Sequence, residues 1–200
     1  MARVAWLERW ARRIGALEAL VLFAMVVVGV WRAARRPKGR TVGRGPLPAY
    51  ALAGAAEVGG MFLLYRPLPV RLARRLRVVA LILGSLLYTA GVGLTIWGRL
   101  TLGQDYNVSA LVETELFAGQ RLVTTGPFRL VRHPMYLGIV LAALGGTLLY
   151  RTWTLAILLG STPALIVRAR REERALFAEF GEEWRAYARR VPAGLAFVSD

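Results

Sequence analysis

The chain has 200 residues, 56% of them hydrophobic, yet 27 Lys and Arg against 12 Asp and Glu give it a net charge of +15. A disordered basic protein would hold far fewer apolar residues, and a soluble domain of this length does not need so many, so the combination points to a small membrane protein with basic loops. The absence of cysteine excludes disulfides, thiolate metal sites and cysteine nucleophiles, and a single histidine excludes a His-rich metal site.

In chain order, Met1–Arg13 is open to two readings, a run whose arginines snorkel to headgroups or a short interfacial helix. Ile14–Trp31 is apolar apart from Glu18 and runs to Trp31-Arg32 without a small-residue cleavage site, which argues against a removable signal peptide. Ala49–Tyr65 holds only Glu57, and Leu76–Gly98 only Arg77. Met135–Tyr150 and Trp153–Val167 carry no charge. The first three stretches are long enough to cross a bilayer. The last two, roughly 23–25 Å each at helical rise, suit a tight helical hairpin turning at Arg151-Thr152, with Pro163 a kink. The predicted fold is all-α, an integral membrane protein of about five transmembrane helices with a C-terminal amphipathic helix.

The basic residues fall between these stretches. A nucleic-acid-binding protein would gather them on one soluble face, so that class is set aside. Five helices put the two ends of the chain on opposite sides, with 17 basic residues on the C-terminal side and 10 on the other. The positive-inside rule then predicts a cytoplasmic C-terminal side, and the Arg-rich composition suggests a prokaryotic inner membrane. The arginines of the opposite side are expected to snorkel to headgroups.

Two polar segments remain for chemistry. Arg99–Pro134 reads as short strands and turns, with Thr125-Gly126-Pro127 a turn. Pro134 suits the first turn of the next helix, which places Arg132 and His133 at the positive end of its dipole, where an anion can be held. The plainer alternative is an arginine at the membrane boundary and a helix-capping histidine. In Arg168–Asp200, Glu173, Leu176, Phe177, Phe180, Trp184 and Tyr187 fall on one helical stripe. A carboxylate turned to a packed face needs a partner. Arg168, Arg170 and Arg171 are the local candidates for Glu172 and Glu173, and a cationic ligand is the other. Gly181 is expected to break the helix after Phe180. Glu18 and Glu57 are ionisable residues inside apolar stretches, open to a functional or a structural role. Gly91 and Gly93 allow either close cofactor approach or tight helix packing.

At these residues a resemblance appears. Leu122-Val123-Thr124-Thr125-Gly126-Pro127-Phe128 followed by Arg132-His133-Pro134-Met135-Tyr136-Leu137-Gly138 resembles the motif of the isoprenylcysteine carboxyl methyltransferase family, whose RHPxY core is shared with phospholipid N-methyltransferases. Glu172-Glu173, Leu176, Phe180-Gly181-Glu182-Glu183-Trp184, Tyr187 and Arg190-Val191-Pro192-Ala193-Gly194-Leu195 resemble its C-terminal segment. Trp184 stands where the family usually has Tyr, and Ala196 replaces a proline.

The resemblance implies a membrane enzyme using S-adenosylmethionine on a lipophilic or prenylated substrate that reaches it from the bilayer, with carboxyl O-methylation of an isoprenylcysteine-like molecule foremost. N-methylation of a phospholipid or small amine, and an NADPH-dependent sterol-type reductase on a related scaffold, are the alternatives. It implies catalytic roles for Arg132 and Glu173, and cofactor contacts for His133, Tyr136, Gly138, Glu172 and Glu173, with no metal and no nucleic acid. Residues 1–98 would then be three membrane helices with basic loops. Residues 99–200 would be the catalytic half: the polar segment, a hairpin over 135–167 and the amphipathic helix over 168–190.

Overall fold

The computed structural model describes residues 2–34, 63–103 and 121–194, and these are helical with no extended strand. α1 is Ala2–Ala34, α2 Arg74–Leu102, α3 Pro134–Tyr150, α4 Trp153–Ser161, α5 Pro163–Phe180 and α6 Glu182–Ala188. The stretch Ala49–Tyr65, with Glu57, lies outside the described residues except for its last three positions.

Several expectations on boundaries are corrected. Met1–Arg13 is not a separate interfacial helix, because α1 runs unbroken through it from Ala2. The described part of the polar segment forms no strands: it is an extended run leading into a 3₁₀ turn at Gly126–Arg129 with Pro127 in its first turn. A lone bridge pairs Pro67 with Thr152. The second arm of the hairpin ends at Ser161, and Pro163 starts α5 rather than kinking one helix. The amphipathic segment is two helices, α5 and α6, joined at Gly181. Gly181 has φ +51°, a left-handed value that side chains rarely adopt, so the break falls where a glycine permits it.

α2 and α3 pack antiparallel along a seam of small residues. A Cβ on Gly91 would meet the Gly138 carbonyl at 2.5 Å, and one on Gly145 would meet the Gly84 carbonyl at 2.7 Å. Both helices present backbone to backbone, so dispersion contact replaces side-chain interdigitation. Gly93 lies off the seam with open space before it. α1 docks on α2 through Gly15, which sits against Tyr88 and Tyr150, and through Glu18, whose carboxylate accepts from the Thr89 hydroxyl at 2.9 Å.

The outward faces are apolar. Leu17, Leu20 and Phe23 of α1 and Leu76, Ile82 and Leu86 of α2 are more than half exposed. Among the described residues, α2 is the helix long and apolar enough to cross a membrane, while α3 is apolar but has 17 residues.

At one end of the bundle the N-terminal turns of α1 meet the start of α2 and the α3–α4 turn around Glu8. Its carboxylate is buried and accepts from Arg12 (2.9 Å), Arg77 (Nε at 2.8 Å) and Arg151. Burial alone would raise the Glu8 pKa, but hydrogen bonds from Arg77 and Arg151 and the nearby Arg12 charge outweigh it, and the pKa falls below the usual value. Arg151 is the non-glycine residue with a left-handed φ among the described residues, at +53°, and caps α3 by donating its N–H to the Thr147 carbonyl at 3.0 Å.

Candidate active site

At the other end, three chain segments converge on the N-terminus of α3. Pro134 opens that helix with its φ already helical and no N–H to leave unpaired, and His133 is the preceding cap residue. The two residues before Pro134 are anchored by backbone. Arg132 donates its N–H to the Pro192 carbonyl at 2.8 Å, and His133 donates to the Ala193 carbonyl at 3.3 Å. The strap Val191–Gly194 thus fixes where the Arg132 and His133 side chains start. Gly194, with φ +79°, packs on Val131 where a Cβ would come within 2.8 Å of its side chain.

α5 supplies the carboxylates. Ala169 is fully buried and packs with Ala193, Tyr136 and Ile166, so α5 comes close to α3 at that level. One turn further, Glu172 and Glu173 reach the α3 N-terminus. Glu173 receives the His133 Nε2–H at 2.9 Å and the Arg132 Nη1 at 3.3 Å. Glu172 receives the Tyr136 hydroxyl and, at 3.5 Å, the Nε of Arg168 one turn back on its own helix. The His133 and Tyr136 rings stack at 5.6 Å with 14° between planes, and the Arg168 guanidinium lies over the Tyr136 ring at 5.7 Å. Arg132 and His133 are each 7% exposed. An arginine that buried must be paired, and Glu173 does this.

α6 braces the arrangement from behind. Trp184, Tyr187 and Val191 form a core with Leu122, Leu176 and Phe180. The Tyr187 hydroxyl donates to the Phe128 carbonyl at 2.6 Å, tying α6 to the 3₁₀ turn that leads into Arg132. Burial pushes the Tyr187 phenol up to about 12; the Arg132 charge opposes the rise and Glu173 adds to it.

Five residues singled out from sequence therefore meet: Arg132, His133, Tyr136, Glu172 and Glu173. Gly138 does not join them. It is buried on the face of α3 against α2, where a Cβ would clash with the Thr95 hydroxyl and lie 2.6 Å from the Gly91 carbonyl. Its role is helix packing, and Gly91 shares it. The stripe is also split: Phe177 is 39% exposed under the Arg185 guanidinium, while Leu176 and Phe180 face the core. Sequence reasoning missed the Tyr187–Phe128 tie, which crosses 59 positions and ends on a backbone atom. It also missed Glu8. Arg168 was signalled by its four-residue spacing from Glu172.

The fold and site define a helical bundle with two neighbouring carboxylates held at a helix N-terminus by an arginine, a histidine and a tyrosine. The phospholipid methyltransferase family model matches residues 79–183, a span holding all five, and the chain belongs to that family. It is 33% identical over 113 residues to a protein-S-isoprenylcysteine O-methyltransferase of Schizosaccharomyces pombe, covering 50% of this chain and 48% of that one. It is 30% identical over 135 residues to a Delta(14)-sterol reductase of Mus musculus, covering 66% and 32%. A solved structure of the eukaryotic intramembrane Ras methyltransferase, an isoprenylcysteine carboxyl methyltransferase, aligns with TM-score 0.48 at 20% identity, over 78% of this chain and 55% of that one. The chain spans 32% and 48% of the length of these two curated relatives.

Proposed function

We propose that this chain is an S-adenosylmethionine-dependent methyltransferase embedded in a membrane, acting on a lipophilic acceptor. The observation that carries the reading is the pair Glu172 and Glu173, each clamped by its own partners at the α3 N-terminus. The donor set fits the cofactor: carboxylates for its ammonium and sulfonium, Arg168 for its carboxylate, and the stacked His133 and Tyr136 rings for a flat base.

Bound S-adenosylmethionine supplies a methyl group on a positively charged sulfur. The chain has to align an acceptor with that methyl and keep water away. A carboxylate acceptor is ionised near neutral pH and needs no base. It needs a cation with fixed geometry, and Arg132 has it: a guanidinium carries five donors, so it can hold Glu173 and orient an acceptor carboxylate together. Glu172 and Glu173 favour positive charge beside them. With an amine acceptor, Glu173 or His133 is placed to take the proton. The preferred acceptor is the carboxylate of an isoprenylcysteine-like molecule, reached from the bilayer. The proposal includes five membrane spans with the site end cytoplasmic in a prokaryotic inner membrane.

The sterol reductase relative favours a second reading, NADPH-dependent reduction of a sterol-like lipid. Thermal unfolding in detergent separates the two. S-adenosylhomocysteine should raise the melting temperature by several degrees and NADPH should not, since only a ligand that binds the folded state stabilises it. No shift with S-adenosylhomocysteine in a folded sample overturns the proposal; a shift with NADPH alone selects the second reading. Transfer of a labelled methyl to lipophilic thioether carboxylates and to amines then identifies the acceptor.

A further inference from the structure

The end of the bundle opposite the site carries more positive charge than its own structure uses. Segments 1–13, 66–77 and 151–152 hold ten arginines and one carboxylate, Glu8. They lie together: Arg77 and Arg151 both bind Glu8, the Leu68 N–H donates to the Arg151 carbonyl at 2.7 Å, and the Trp153 N–H donates to the Arg66 carbonyl at 3.0 Å. Three guanidiniums share the single carboxylate, which leaves two net positive charges at the clamp alone. Around it Arg9, Arg13, Arg71, Arg74 and Arg75 are exposed. The Thr152 hydroxyl, next to Arg151, is buried at 5% exposure with no hydrogen-bond partner among the described residues.

The same end carries exposed indoles. Trp6, Trp10 and Trp153 are 53%, 46% and 45% exposed, and Arg13 lies over the Trp10 ring at 5.5 Å. Tryptophans of this kind seat at the level of lipid headgroups, with the apolar ring inward and the N–H toward water. Arginine at the same level meets phosphate, whose geometry its fork matches in two parallel hydrogen bonds. The apolar side chains that continue below on α1 and α2 fit acyl chains.

We propose that this end is a binding surface for anionic phospholipids, with phosphodiester headgroups held by Arg71, Arg74, Arg75 and the surplus charge of the Glu8 clamp, in the leaflet opposite the site. The inference rests on the membrane embedding of the preceding section and not on the methyltransferase activity. It accounts for ten arginines on the side that the positive-inside rule leaves poorer.

The test uses the full chain in lipid nanodiscs of phosphatidylcholine alone or mixed with phosphatidylglycerol. Melting temperature is read in both, and lipids retained after detergent extraction are read by native mass spectrometry. The expected result is a higher melting temperature with phosphatidylglycerol and its selective retention, both weakening with salt. R71Q/R74Q/R75Q should lose both, with about a hundredfold weaker association from roughly fivefold per arginine, and R71K/R74K/R75K should restore most of it. Basal methyl transfer should be unchanged, since these arginines lie at the far end from Arg132 and Glu173. Equal melting temperatures in the two nanodiscs, or equal retention by the glutamine variant, overturn the proposal. Equal stabilisation by inorganic phosphate in detergent overturns it in favour of a free-anion site. Resistance of the chain to carbonate washing from phosphatidylcholine vesicles reads the embedding separately, so its failure is told apart from loss of headgroup preference.

Discussion

His133 donates its Nε2–H to Glu173 at 2.9 Å, joining positions 40 residues apart. The same carboxylate oxygen takes Arg132 Nη1 at 3.3 Å. Two consecutive residues on a loop are thus read by one side chain on α5, and the pair is oriented before any ligand arrives. The carboxylate next to it, Glu172, is held by different partners, so the two negative charges are aimed independently.

Loss of either member of the Arg132–Glu173 pair should abolish useful turnover. R132A and E173Q are each expected to lower kcat/KM by about thirtyfold or more, because truncating a buried hydrogen-bonded charge pair costs about 2–5 kcal/mol. Labelled methyl transfer to an accepted substrate reads this. E173Q keeps the volume but removes the charge that Arg132 and His133 face, so its melting temperature should fall too, and turnover is compared per folded protein. Full turnover in both variants would show that the site is wrongly placed.

Tyr187→Phe tests whether α6 positions the loop. It removes the donor of a part-buried hydrogen bond to the Phe128 carbonyl, a loss of about 1 kcal/mol. The pH dependence reads the burial of the phenol. The folded phenol is raised to about 12 from 10.0, so its contribution to stability is complete below pH 10 and is lost as pH rises through 12. Unfolding curves of Tyr187→Phe and the parent chain should differ below pH 10 and converge above 12.

Glu8 should act in the opposite pH direction. Its pKa is lowered in the fold, so its contribution is present above the unfolded value of 4.5 and fades as pH falls through the lower folded value. E8A leaves three guanidiniums facing one another, and breaking a buried charge pair in this way costs about 3–5 kcal/mol. Its melting temperature near neutral pH should fall well below that of the parent chain, and the gap should close in acid. A gap that persists unchanged at low pH would assign Glu8 a packing role only.

The α2–α3 seam predicts a contrast between glycines of similar sequence context. G138A and G145A put a methyl where backbone of the partner helix already sits, an overpacking worth about 1–3 kcal/mol or more. G93A places the same methyl in open space and should be neutral or stabilise by up to about 1 kcal/mol through helix propensity. Melting temperatures of the three variants decide it; equal losses at all three positions would contradict the seam.

The sequence was informative where the physics is local. Apolar runs located α2 and α3, Pro134 marked a helix start, and Gly181 marked the break after Phe180. Arg132 and His133 stand out by their place before Pro134, and Glu172 and Glu173 by their place on or beside an apolar stripe, while Tyr136 and the grouping of all five come from the family resemblance. The rest depended on long-range pairing. Gly138 belongs to the motif that carries the resemblance, but its two-residue step from Tyr136 turns it to the opposite side of the helix, onto α2. Arg12, Arg77 and Arg151 looked like separate boundary arginines, and only the third dimension gives them Glu8 in common. The hydrogen bonds to the carbonyls of Pro192 and Ala193 run from backbone to backbone and leave no side-chain trace, and the one from Tyr187 to Phe128 leaves a trace at one end only.

The strap that anchors Arg132 and His133 also sets an order of assembly. A chain leaving the ribosome from its N-terminus can pack α2 on α3 as soon as Tyr150 has emerged. The carbonyls of Pro192 and Ala193 arrive about sixty residues after the two amides that need them, at a synthesis rate of roughly 5–20 residues per second. Until then the amides of the arginine and histidine lack these acceptors. The scaffold is therefore built seconds before the site, and a translation product stopped within α6 would be a nearly complete bundle without an organised centre.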